Sequence, residues 1–331
     1  MAEKRTHRAI LDPMAVADSL AAEHRALRDA CGLVDRSDRG KLSLTGSETK
    51  TFLQGQLTND VEGLEPGRGL YAAFLTHKGK MLGDLRVLDL GSELLLDTER
   101  VALQELFTMI HRFKLGRDVE LGKRTLERGL LSLLGPDARK VAGAHGLAEE
   151  EHACSRAQVA GVEVVQVATD VGVDLICPSE RTDDLRAGLL DAGAEPVSED
   201  AAEALRIERG RPRYGLDMGE ETIPQEAGLN ERAVSFAKGC YVGQETVARL
   251  YYRGKPNRHL RGLRLSAPAL HGDPLRLGDR QVGTIGSSAL SPALGLIALA
   301  LVRREAQPGD TVLVGDPAAA PAQVVELPFS S

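Results

Sequence analysis

The chain has 331 residues, of which 42% are hydrophobic and 27% charged, enough for two or three domains around sizeable cores. A net charge of −7 excludes nucleic-acid binding by overall electrostatics, and the lack of Trp, with aromatics at 3%, argues against base- or sugar-stacking platforms. Cys31, Cys154, Cys177 and Cys240 form no CxxC pair, so neither a zinc site nor a disulfide framework is expected, and reduced thiols in a cytoplasmic protein fit best.

The opening MAEKRTHRAILDPM holds no long apolar run, so no signal peptide and no membrane partner are expected. A first helix is predicted from an Asp12 cap, with Pro13 in its first turn, an apolar stripe at Val16, Leu20 and Leu27, and a stop at Gly32. A strand over Lys41–Thr45 and a helix opened by Ser47 follow. Tyr71–Thr76, Met81–Asp89 and Glu93–Asp97 read as a strand meander with turns at His77-Lys78-Gly79 and Leu90-Gly91-Ser92. A helix from about Glu99 to Phe113 and a strand near Val119 complete this part.

The pattern then repeats. Leu42-Ser43-Leu44-Thr45-Gly46-Ser47-Glu48 matches Leu131-Ser132-Leu133-Leu134-Gly135-Pro136-Asp137, an alternating strand broken at Gly before an acidic helix start. Leu94–Arg100 (LLLDTER) matches Leu175–Arg181 (LICPSER), a strand running into a helix with Thr or Ser as candidate cap. Two matches in the same order predict an internal duplication: two related antiparallel α+β halves, with helices on one sheet face. A helix over Glu199–Arg209, capped by Ser198 and stopped by Gly210, comes next, then KGCYVGQE (238–245) with its own helix. Gly254–Asn257 reads as a linker. Short strands at Leu260–Leu265, Gln281–Ile285, Leu296–Val302, Thr311–Val314 and Val324–Leu327 predict a small C-terminal β-barrel. The expected division is 1–125, 126–255 and 256–331.

KGCYVGQE sets one thiol between two glycines, two residues after a lysine and just before a helix. That setting favours a thiolate at Cys240; a packing cysteine at a tight turn is the alternative. The segment resembles the signature of YgfZ-type folate-binding proteins, relatives of the aminomethyltransferase (T-protein) of the glycine cleavage system. Leu205–Asp217 (LRIERGRPRYGLD) is similar to the LRIExGxPxYGxD stretch of that superfamily, and Ile223–Leu229 (IPQEAGL) to its IPxEAGL stretch. The resemblance implies a three-lobed ring with tetrahydrofolate in the centre. A carboxylate can accept the adjacent N–H and amino group of a reduced pterin together. Asp174, in Thr169–Asp174 (TDVGVD), is implied for this role by likeness to TGExGxE, one methylene shorter than the family Glu. Tyr241 and Gln244 are further implied contacts. Arg249 and Arg253, in a basic run that continues through Lys255, Arg258, Arg261 and Arg264, with Arg206, fit the anionic glutamate or polyglutamate tail.

Where T-proteins have an adjacent Asp pair, Gly79–Leu85 (GKMLGDL) keeps Asp84 alone. That departure, with Cys240 standing where the T-protein signature has an acid, directs the leading expectation to a folate-binding protein that supports iron–sulfur cluster assembly or repair in client proteins. Cys240 would then be its reactive group. A folate-dependent aminomethyl or one-carbon transferase working through Asp84, and a non-catalytic scaffold of the same fold, are the alternatives. The eight histidines show no metal-ligand spacing and read as surface or satisfied residues; His77 is the one expected near the site.

Overall fold

Leu alternating with small or polar residues in Gly40–Thr45 and Arg128–Leu134 makes two strands that are buried on both faces, and each lies inside an antiparallel sheet. The computed structural model in which these sheets are seen describes residues 13–316 and 319–330. The first sheet has the order Gly69–Leu75, Met81–Asp89, Leu94–Thr98, Gly40–Thr45, Glu120–Lys123. The second runs Glu195–Pro196, Gly32–Asp35, Arg128–Leu134, Gly172–Pro178, Val162–Thr169, Cys154–Val159. Within it only Glu195–Pro196 runs parallel to its neighbour. Six strands between Arg258 and Val325 close a barrel, with Pro274–Leu277 as the strand absent from the sequence reading. The α+β class, two sheet-rich halves and a barrel are thus as expected.

The duplication is visible in stereochemistry. After each repeated strand the chain turns through a left-handed glycine, Gly46 (φ 111°) or Gly135 (φ 118°). A Cβ there would stand 2.2 Å from the Asp118 carbonyl oxygen or 2.6 Å from that of Ala30, so only glycine fits. The second repeated segment passes in both halves from strand through a 3₁₀ turn into a helix: Leu94–Thr98 to Leu103–Phe113, and Gly172–Pro178 to Thr182–Asp191. The expected Thr and Ser caps make no side-chain cap bond there. Ser198 does cap Glu199–Glu208, accepting from the Ala201 N–H. The first helix spans Pro13–Asp29; its expected cap, Asp12, lies outside the described residues.

Two segments sit away from their neighbours in sequence. Gly32–Asp35 pairs with Arg128–Leu134, so the start of the chain supplies a strand to the second sheet. Tyr214, Met218, Tyr241 and Val247, which follow the last strand of the second sheet in sequence, are buried in the core of the first sheet with Leu42, Phe74 and Leu96. Among the described residues, no helix is long and apolar enough to cross a membrane.

Period-two alternation decides what lies between the sheets. Leu42, Leu44 and Leu96 face the core of the first half. On the opposite face of that sheet Leu88 and Leu95 meet Leu130 and Ile176 of the second. Farther along the same strands these inward positions become polar: Asp84, Arg86, Asp97, Ser132 and Asp174, all buried. An apolar seam therefore passes into a polar one, and the cavity described next opens beside it.

Candidate functional site

The polar layer is built from cross-strand pairs. Arg86 is in register with Asp97 on the first sheet, and Ser132 with Asp174 on the second. Arg86 joins the two: its Nε donates to Asp97 Oδ2 at 2.7 Å and its Nη1 to Asp174 Oδ2 at 2.6 Å. Arg39 adds a second fork onto Asp97 at 2.9 and 3.1 Å. Burial alone would raise the Asp97 carboxyl, but Arg39 and Arg86 overcome it and hold it well below the usual carboxylate range. Ser132 Oγ donates to Asp174 Oδ1 at 2.6 Å. Asp174 is thus buried and oriented, with each oxygen already accepting one bond and keeping one acceptor site.

Beside this network lies a cavity of about 210 Å³, walled by both sheets, by Ala202, Leu205 and Arg206 of the helix Glu199–Glu208, and by Arg209, Arg211, Pro212 and Arg213. Three expected site residues meet in it: Asp84, Asp174 and Arg206. Asp84 accepts a short hydrogen bond from the Tyr71 hydroxyl, and burial pushes its carboxyl up to about 6. It would therefore exchange its proton near neutral pH. Arg206 is committed to protein partners, Glu203 and Asp217, each at 2.8 Å. Burial disfavours its charge, but these carboxylates more than compensate and hold it protonated. Arg213 is likewise held, among Glu99, Glu199 and Glu203. Arg209 makes a lone 3.2 Å bond to the Asp170 carbonyl.

Cys240, Tyr241, Gln244, Arg249 and Arg253 do not line this cavity. Their loop docks on the hairpin of the first sheet. Gly243 (φ 85°) allows it, since a Cβ there would lie 2.5 Å from the Thr76 carbonyl oxygen. Tyr241 is buried in the first core. Gln244 begins the helix Gln244–Arg253, whose Arg249 and Arg253 are exposed beside a Phe236–Tyr251 stack with ring centroids 3.8 Å apart. Cys240 is exposed, whereas the other three cysteines are buried. Burial raises the thiols of Cys31 and Cys154, to about 12 and about 11, and that of Cys177 as well. Lys238, expected to favour the thiolate, turns inward instead. Its Nζ donates to the carbonyls of Gln54, Leu57 and Asn59 at 2.6, 2.7 and 2.9 Å, which ties the motif to the end of the helix Thr49–Gln54. Burial lowers its ammonium to about 8.

The histidine expectation needs correction. His77 is exposed, while His152 is buried in the cavity wall with neither ring nitrogen bonded. No spacing in the sequence marks it. Nor does the sequence single out Tyr71, the partner of Asp84; its place in Tyr71–Thr76 says only that it belongs to a strand.

Residues 8–238 match the GCVT N-terminal domain, and residues 258–330 match the glycine cleavage T-protein C-terminal barrel domain. The chain belongs to the glycine cleavage T-protein family. Among its relatives, an aminomethyltransferase of Rubrobacter xylanophilus is 31% identical, over 94% of this chain and 86% of that protein. An aminomethyltransferase of Halothermothrix orenii is 29% identical, over 94% and 91%. The crystal structure of the glycine cleavage system aminomethyltransferase T from Bartonella henselae superimposes with a TM-score of 0.83, covering 94% of this chain and 89% of that one. At 24% identity it shows the shared fold of this family. The aminomethyltransferase relatives favour the transferase alternative over the iron–sulfur expectation.

Proposed function

We propose that this T-protein family member is a tetrahydrofolate-dependent one-carbon transferase of the aminomethyltransferase kind, working in the cavity between the sheets. The observation that carries it is Asp84, a buried carboxyl raised to about 6 in the cavity wall and fixed by Tyr71. A group that exchanges its proton near neutrality suits holding or moving a proton at a folate nitrogen. The wall also fits a reduced pterin: Asp174 keeps acceptor capacity for ring N–H groups, and the orphaned polar atoms of His152 and Thr169 call for partners. Tetrahydrofolate, when bound, supplies the nitrogens that take up the one-carbon unit. Arg86 fixes Asp174, Asp84 manages the proton, and Arg209 at the rim is available to an anionic tail. Formation of methylene-tetrahydrofolate with glycine-cleavage partner proteins tests this. Asp84→Asn should lower turnover at least about a hundredfold, and equal turnover would remove Asp84 from the chemistry.

A second reading rests on Cys240, the exposed thiol among four cysteines. In it, the protein is a cytoplasmic folate binder of YgfZ type that serves iron–sulfur client enzymes through that thiol. No turnover in the assay above, together with failure of Cys240→Ser to restore iron–sulfur enzyme activity in a deletion strain, would favour this reading.

A further inference from the structure

His152 is 7% exposed, yet neither ring nitrogen has a hydrogen-bond partner. The nearest carboxylate oxygen, Glu151 Oε1, stands 3.6 Å from Nε2, beyond hydrogen-bond reach. Buried polar atoms left without a protein partner call for one from the cavity they line. The backbone adds to this, because His152 has φ 71°, a left-handed conformation that side chains adopt at a cost. The conformation is held on both sides. The His152 N–H donates to the Ala168 carbonyl at 2.8 Å, and Gly69 makes room for the residue, since a Cβ there would lie 2.5 Å from the His152 carbonyl oxygen. Thr169, next to Ala168, has a buried Oγ1 that is also unpartnered, and both residues line the cavity. Burial, with Arg86 and Arg232 nearby, pushes the imidazole down to about 3, so it is neutral and carries one donor and one acceptor.

A left-handed backbone and three unpaired polar atoms thus gather at two residues of one cavity wall. We propose that His152 and Thr169 form a polar anchor that hydrogen-bonds the ring heteroatoms of the bound ligand, a specificity-determining contact separate from the carboxylate at Asp174. The identity of that ring as a reduced pterin rests on the folate reading above.

The test measures tetrahydrofolate affinity by calorimetry and thermal stability of the ligand-free protein. His152→Phe keeps the ring's bulk without its nitrogens, Thr169→Val keeps shape without the hydroxyl, and His152→Gln restores a donor and an acceptor. Each of the first two should bind about tenfold more weakly, His152→Gln should recover most of the loss, and ligand-free His152→Phe should melt no lower than the wild type. Unchanged affinity in His152→Phe and Thr169→Val overturns the proposal, and so does a His152→Phe that melts well below the wild type or does not fold. A wild-type protein that fails to bind tetrahydrofolate sinks the folate reading instead. The anchor is then judged by the ligand-free melts alone, where a stabilised His152→Phe supports it and a destabilised one refutes it.

Discussion

Replacing Tyr71 by Phe isolates the contact that sets the proton affinity of Asp84. Burial drives that carboxyl upward from an ordinary value of 3.8, and the Tyr71 hydroxyl, by bonding the ionised form, restrains the rise to about 6. A hydrogen bond to a charged group is worth about 1.5–3 kcal/mol, and 1.36 kcal/mol corresponds to one pH unit. Tyr71→Phe should therefore raise the midpoint by roughly one to two pH units, to roughly 7–8. The ring remains to fill its place, so the fold should survive. The assay is a carbon-13 titration of labelled aspartate carboxyls, with the Asp84 signal assigned by its absence in Asp84→Asn. The native state binds this proton more tightly than the unfolded chain does. Between about 3.8 and about 6 stability should therefore fall as pH rises, and outside that window the group should contribute no slope. In Tyr71→Phe the falling stretch should extend upward with the midpoint. A midpoint within a few tenths of the wild-type value would refute the view that Tyr71 governs the carboxyl.

Asp174→Ala should cost about 3 kcal/mol of stability in urea unfolding, the low end for breaking a buried ion pair, because Arg86 keeps Asp97 as partner; Asp174→Asn should cost less yet still weaken tetrahydrofolate binding. Cys240 should react with a maleimide far ahead of the three buried cysteines, and labelling of Cys31 at a comparable rate would contradict the burial described here. Arg209→Ala should weaken polyglutamyl folate more than monoglutamyl folate, with a difference that shrinks in high salt, and more than Arg249→Ala, because Arg209 lies at the cavity and Arg249 on an outer helix; the reverse order would return the tail site to the motif helix.

Where local pattern decides structure, the sequence was readable. The repeated strand–glycine–helix unit around Gly46 and Gly135, the Ser198 cap and most barrel strands all follow from alternation and turn chemistry. Asp84 and Asp174 were legible because family motifs surround them. The losses share one cause: long-range contact. Gly32–Asp35 is too short to announce itself as a strand, and nothing in it shows that its partner is Arg128–Leu134. Lys238 reads as a neighbour of Cys240 until the carbonyls that hold it, from residues 54–59, are seen. His152 carries its information in a backbone angle and in missing partners, neither of which a sequence records.

The placement of Gly32–Asp35 also bears on how the chain folds as it is made. Leu33 pairs with Leu133, and Gly32 pairs with Glu195. A growing chain presents this strand long before either neighbour has left the ribosome, although domains elsewhere tend to fold in order from the N-terminus. The first sheet draws its five strands from residues 40–123 and can pair them while Leu33 and Val34 still wait with apolar side chains uncovered. Completion of the second sheet reaches back to the beginning of the chain, so synthesis passes through a stage in which one half has its strands and the other lacks its clasp. That stage ends when Glu195–Pro196 pairs with the waiting strand.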